Sequence, residues 1–259
     1  MINFRSSLWS LVLTLNVSFI CAEESIIFHG QGQQDRFVYE NFFKNKLQGV
    51  FVDIGAHDGI KFSNTYFFEK HLGWTGMCVE PLPEVFERLK ANRKCLCVQG
   101  CIFDKYETVP FLKISGYPEM LSGIIENYDP QHVRRIQTEI AMIGGKSEII
   151  TVKCYNLTKL LIDNNIHHVD YLSIDTEGGE LGILKSIDFT RIDVEIIDVE
   201  NNYNEPFQQF LEPFGYRKVA MLGVDEIYKK KHKIDISIPT DPYLKQTKLL
   251  TNNWMRLSQ

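Results

Sequence analysis

One stretch, Gly49-Val50-Phe51-Val52-Asp53-Ile54-Gly55-Ala56-His57-Asp58-Gly59, constrains the fold more than any other. Val50 to Ile54 is apolar and β-branched or aromatic at every position but Asp53, which predicts a strand covered on both faces. Gly55 and Gly59 follow, and glycine lets the chain turn with φ > 0 and lets a ligand approach the backbone. A strand, a glycine turn and a helix in succession are expected to leave free N–H groups at the carboxyl edge of a sheet. Asp53, at the strand's tip, favours a cationic or amine-bearing ligand there.

The rest of the chain repeats this unit. Residues 33–46 carry Phe37, Val38, Phe42 and Phe43 at helical spacing. Ser63-Asn64 is expected to cap a helix over 65–71, and residues 83–92 read as a helix with proline in its first turn. Buried strands are expected at 76–80, 96–98, 169–175 and 194–199, and two antiparallel strands at 216–222 and 226–229. Residues 109–114 read as a strand or edge hairpin, 148–154 as a strand and 157–164 as a helix. Between them, 115–148 is an irregular insertion with a helix over 131–142, suited to a lid or binding loop. This alternation predicts an α/β fold, a doubly wound, mainly parallel sheet of seven strands with helices on both faces.

In such a sheet the ligand sits outside the carboxyl ends of the strands. Four ends here carry acids: Asp53, Glu80, Asp175 and Glu200. Glu80 follows Gly59 by 21 residues, where an acid can accept both hydroxyls of a ribose. A dinucleotide site needs G-x-G-x-x-G to cradle a pyrophosphate. This turn lacks the third glycine and carries Asp53 and Asp58, which disfavour an anion and suit the ammonium and sulfonium of S-adenosylmethionine. Asp175 and Glu177 are candidate bases by position, and His57 by its titration range. No metal site is expected: there is no C-x-x-C pair, and His167-His168 reads as a loop.

Composition narrows the class. A formal net charge of −5 gives no reason to expect a nucleic-acid partner, and the basic run Lys229 to Lys233 reads as a solvated turn. Arg5, an apolar run from Leu8 to Ile20 and Cys21-Ala22 before Glu23-Glu24 make a secretory leader, with cleavage expected after Ala22. An uncleaved anchor is the alternative, and only it would bring the chain to a membrane. Asn156-Leu157-Thr158 is a glycosylation sequon. Most of the remaining cysteines are expected to be buried apolar residues. The chain thus divides into a leader (1–22), one domain (33–229) and a tail (230–259).

Three segments then resemble a known family, the FkbM-type methyltransferases. They are Val52 to Gly59, Cys78-Val79-Glu80-Pro81, and Val169 to Leu181 with its Asp175-Thr176-Glu177-Gly178-Gly179-Glu180 core. The resemblance spans roughly residues 33–222. It implies a Rossmann-like class I fold, S-adenosylmethionine as cofactor, and methyl transfer to a hydroxyl of a sugar, glycan or small molecule. It also implies that Asp53, Gly55 and Gly59 hold the methionine end, with Ala56 and Asp58 also binding the cofactor, that Glu80 holds the ribose, and that Gln99 to Ile102, with Cys101 and Ile102 as contacts, lie by the adenine. Asp175 and Glu177 would face the transferred methyl. Residues 62–83 resemble a narrower Star-like group, which implies as an alternative a catalytically silent domain in secretory-pathway trafficking or binding.

Overall fold

Strands and helices alternate as expected, and the strands divide between two sheets. The computed structural model describes residues 27–103 and 108–231, so the leader and the tail beyond Lys231 lie outside it. In chain order the strands are β1 (Val50–Ile54), β2 (Thr75–Glu80), β3 (Leu96–Gln99), β4 (Cys101–Ile102), β5 (Thr108–Ser115), β6 (Gly123–Ile124), β7 (Lys146–Tyr155), β8 (His168–Ile174), β9 (Asp193–Glu200), β10 (Tyr216–Leu222) and β11 (Asp225–Lys230). The helices are α1 (Gln34–Val38), α2 (Tyr66–Leu72), α3 (Pro83–Asn92), α4 (Pro130–Ile143), α5 (Leu157–Asp163), α6 (Glu180–Lys185) and α7 (Phe207–Leu211).

The larger sheet runs β3-β2-β1-β8-β9-β11-β10. Its first five strands are parallel, while β11 is antiparallel to both β9 and β10. The chain winds outward from β1 to β3, then returns to lay β8 against β1. That reversal is the switch point where a doubly wound sheet opens a crevice. Alternation along the strands covers both faces. Val52, Ile54, Leu172, Ile174, Ile197 and Val199 pack with Leu161, Leu184 and Phe207, while Phe51, Tyr171 and Ile196 pack with Phe43, Phe67, Phe68 and Trp74.

The second sheet, β4-β7-β5-β6, was not expected. β5 pairs antiparallel with β7 over its full length, from Thr108 opposite Lys153 to Ser115 opposite Lys146, so the insertion is a hairpin arm carrying α4 rather than an irregular loop. Cys101 and Cys154 face each other across β4 and β7 and form a disulfide, which corrects their reading as free apolar residues. Cys78, Cys95 and Cys97 remain free thiols, of which only Cys78 is fully buried.

Local departures have local causes. The helix expected over 33–46 is α1 followed by a π-turn at Tyr39–Phe43. Asn41 Nδ2 donates to the Phe37 carbonyl, the acceptor its own N–H would take in a regular helix. Ser63 alone caps α2, accepting from Thr65 N and Tyr66 N, and Asn64 turns away to Ser173 Oγ (3.2 Å). The basic run is no turn where described: Lys229 and Lys230 lie on β11, with Lys230 paired to Asp193. His168 opens β8 rather than lying in a loop. In the sequon, Asn156 caps α5 and the Thr158 hydroxyl is buried against Ser186 O.

Candidate active site

The turn after β1 is closed by its own hydrogen bonds. Gly55 N and Ala56 N both donate to Val79 O, at 3.0 and 3.1 Å, and Gly59 N donates to Ala56 O at 2.9 Å. His57 N donates to Glu80 Oε2 at 3.1 Å, and Asp58 Oδ1 accepts from Ile60 N and Lys61 N. The free N–H groups expected here are therefore taken, and α2 begins only at Tyr66. A pyrophosphate finds no amide nest in such a turn. Gly55 holds φ 86°, and a Cβ there would lie 1.8 Å from the Asp175 carbonyl oxygen. Only glycine lets the loops after β1 and β8 meet this closely.

Alternation sends Asp53 to the face opposite Ile54. There it accepts from Thr65 Oγ1 (2.6 Å) and Ser63 Oγ (3.4 Å), with Arg93 Nη1 at 3.9 Å. The Arg93 side chain is fully buried and also donates to Glu69 (2.7 Å), Gly59 O (3.2 Å) and Thr65 Oγ1 (3.0 Å). Burial raises the pKa of Asp53, opposed by Arg93 and the two hydroxyls. Asp53, Ala56, Asp58 and Gly59 do not line the cavity at the sheet's edge. They brace the turn from behind, which corrects their expected role as direct contacts to a cofactor.

The cavity itself measures about 1270 Å³ and lies over the switch point. Gly55, His57, Glu80, Leu82, Cys101 and Ile102 line one end, so five of the expected residues come together there. Glu80 is buried, and its oxygens accept from His57 N and Leu82 N. Burial raises its pKa to about 7, with Glu119 adding to the rise. Its remaining lone pairs suit a ribose diol. His57 is turned toward the hairpin arm: Nε2 lies 3.0 Å from Glu119 Oε1, which also accepts from Arg88 at 2.5 Å.

Asp175 and Glu177 line the middle of the cavity. Glu177, at φ 58°, accepts from Arg135 Nη1 of α4 at 2.9 Å, with His132 Nδ1 at 3.5 Å. Burial raises its pKa to about 7 against the pull of Arg135. Glu180 takes no part in the cavity. Its Oε1 accepts from Thr176 N, Thr176 Oγ1 and Gly178 N, which holds the turn in shape. Among the described residues none donates a hydrogen bond to the Asp175 side chain. Asp175 is solvent-accessible at the cavity, and desolvation by the surrounding protein, then the charges of Glu177, Asp225 and Glu180, push its pKa above the carboxylate range.

The far end holds Glu200, already expected as a strand-end acid, together with residues that the sequence reading missed. Glu200 and Asp225 pair across β9 and β11, and Gln34 Nε2 donates to Asp225. Asn64, Leu222 and Val224 line the same region. Asp225 escapes a search of carboxyl strand ends because β11 runs antiparallel and brings its first residue to this edge. Among the described residues the one group spaced as metal ligands is His168, Asp170 and Glu195, at the opposite end of β8. There Lys46 already pairs with Asp170.

A family model described as the methyltransferase FkbM domain matches residues 53–234. A search of curated proteins gave no match. Among solved structures, a human methyltransferase 10 domain containing protein is similar at 13% identity and TM-score 0.40, over 79% of this chain and 83% of that one. An RNA methyltransferase from Salinibacter ruber in complex with S-adenosyl-L-homocysteine is similar at 13% identity and TM-score 0.35, over 83% and 98%. A precorrin-6y C5,15-methyltransferase from Geobacter metallireducens GS-15 is similar at 15% and 0.35, over 76% and 87%. With that family match over most of its length, and a doubly wound sheet beneath it, this chain belongs to the FkbM family of S-adenosylmethionine-dependent methyltransferases.

Proposed function

We propose that the protein transfers a methyl group to a hydroxyl of a sugar, glycan or other small molecule. The observation that carries this is the single cavity that joins Glu80 to Asp175. Bound S-adenosylmethionine supplies a methyl carbon on a sulfonium that departs as a neutral thioether. The residues present fit it: Glu80 offers free lone pairs for the ribose diol, Cys101 and Ile102 give an apolar wall beyond it, and the closed turn offers no anion nest.

The chain's own part is mainly to position the acceptor oxygen, since the leaving group is already good. Asp175 is the base this arrangement favours, because its carboxylate has no internal donor and a raised affinity for a proton. Held beside the acceptor hydroxyl, Asp175 would take its proton and later release it to water, while the bound cofactor would supply the methyl group and the thioether leaving group. Glu177 is held by Arg135 and positions the loop; His57 ties the turn to the hairpin arm. Asp175→Asn should lower turnover by about 10²–10⁴-fold, the usual worth of general-base catalysis, and change cofactor affinity far less. An Asp175→Asn protein with wild-type turnover would exclude this role.

A second reading keeps the same cavity but not the catalysis. The Cys101–Cys154 disulfide favours an oxidising compartment, in accord with the leader. S-adenosylmethionine is made in the cytosol, so a silent, secreted binding domain accounts for that disulfide as well. Methyl transfer from labelled cofactor to an acceptor extract separates the two.

A further inference from the structure

We propose that Cys78 and Cys95 form a redox-active dithiol site, which a small disulfide of the glutathione class oxidises to a second disulfide that ties the connection before β3 to β2. None of the three free thiols lines the cavity, so this site is separate from the one described above.

Register puts three sulfurs on one side of the sheet edge. Cys78 of β2 stands opposite Cys97 of β3, and Cys95 lies two residues before Cys97. Side chains two apart along a strand point the same way. Side-chain direction then chooses the pair. Cys97 Sγ turns to the Cys95 carbonyl at 3.6 Å, whereas Cys95 Sγ lies 3.5 Å from Cys78 Sγ. A disulfide brings two sulfurs to about 2 Å. Cys95 sits at a bend, ahead of the Leu96–Gln99 ladder, so it closes that gap without breaking the pairing of β2 with β3.

The surroundings divide the labour. Cys78 is fully buried, and Cys95 and Cys97 are partly exposed. An oxidant therefore meets Cys95 first and Cys78 resolves the adduct. The buried guanidinium of Arg93 acts on both sulfurs and favours a thiolate as it forms. The hydrogen bond from Cys95 to Cys78 pushes the Cys95 thiol pKa up, which makes the exchange slow, on a scale of hours. The fold already holds one disulfide at Cys101–Cys154, and a second at Cys78–Cys95 leaves Cys97 as the odd thiol.

The exchange is balanced. The Cys95 thiolate attacks one sulfur of glutathione disulfide and gives a mixed disulfide and a glutathione thiolate, which takes up the proton that Cys95 lost. Cys78 then loses its proton, and its sulfur attacks Cys95 Sγ and releases the second glutathione with that proton. Two cysteine thiols are oxidised, and one glutathione disulfide is reduced to two glutathiones. The new bond fastens the connection that carries Arg93 to the strand that carries Glu80.

The test incubates the full chain in glutathione buffers of graded oxidised share, blocks thiols with N-ethylmaleimide in denaturant and maps tryptic peptides by mass spectrometry. Cleavage after Lys94 separates Cys78 from Cys95. In oxidised buffer the wild type should show the Cys78 peptide linked to the peptide that begins at Cys95, and Cys97→Ser should keep that link. Closing a loop across 17 residues should make oxidised Cys97→Ser melt at least about 4 °C above the Cys95→Ser, Cys97→Ser protein, a gap that closes on reduction. Cys78 and Cys95 both blocked by N-ethylmaleimide while Cys101–Cys154 is fully linked would overturn the inference. So would a Cys95 peptide that carries glutathione alone, or an equal link in Cys95→Ser, where Cys97 is the partner.

Discussion

Two sets of acids lie near the same edge of the larger sheet, on elements joined through the paired strands β1 and β8, and have opposite surroundings. Asp53 and Glu69, behind the first turn, face the buried guanidinium of Arg93 and the hydroxyls of Ser63 and Thr65. Asp175 and Glu200, on the cavity side of the same sheet edge, face other acids and no donor. The first set is complete within the chain and holds the turn. The second is complete only when something else supplies positive charge or hydrogen-bond donors. Residue type is the same in both; the partner makes one set structural and the other a binding site.

The largest effect should come from breaking the complete set. Arg93→Ala leaves Asp53 and Glu69 buried without their counter-charge, and removing one partner of a buried pair costs about 3–5 kcal/mol. Denaturant unfolding should show that loss, and a cost under about 1 kcal/mol would mean that Arg93 does not anchor the turn. The Cys101–Cys154 disulfide closes a loop across the cavity wall. Cys154→Ser should cost about 4 kcal/mol from loop entropy for a separation of 53 residues. Thermal unfolding with and without reductant checks it; identical curves would contradict the bond.

A smaller effect tests Glu80 by pH. Its neighbours are the His57 and Leu82 amides, Glu119 of the arm and Arg88 of α3. Because its folded pKa is raised to about 7, stability from this group is fully present below the ordinary carboxyl value and is lost as pH rises through 7. Cofactor binding runs the other way, since the ribose needs the carboxylate. Affinity should fall by up to about tenfold from pH 8 to pH 6, and a flat profile would remove Glu80 from the site. The smallest effect has the opposite sign to Arg93→Ala. Glu200→Gln relieves like-charge repulsion and should raise stability by about 1 kcal/mol, or about 2–4 °C in Tm. A clear loss of stability would show that Glu200 has an internal partner after all.

The sequence makes the larger sheet legible because its parallel strands are continuous apolar runs, each ending on an acid or a turn. The second sheet is not legible in the same way. Its pairing joins residues 108–115 to 146–153, and nothing local marks two strands as partners across thirty residues. The site divides similarly. Glu80, Asp175 and Glu177 stand out because their strands end there. Asp53 is misleading because it is one residue from the tip, and one residue in a strand reverses the face. Gln34, Asn64 and Asp225 reach the cavity from a lead-in segment, a loop and an antiparallel return, so only the fold assembles them.

Calorimetric titration with S-adenosylmethionine tests the account most directly. The wild type should bind one equivalent, and Glu80→Ala should weaken that binding by at least about tenfold, the worth of a charge-assisted hydrogen bond. Absence of binding by the wild type, or equal binding by both proteins, would contradict it.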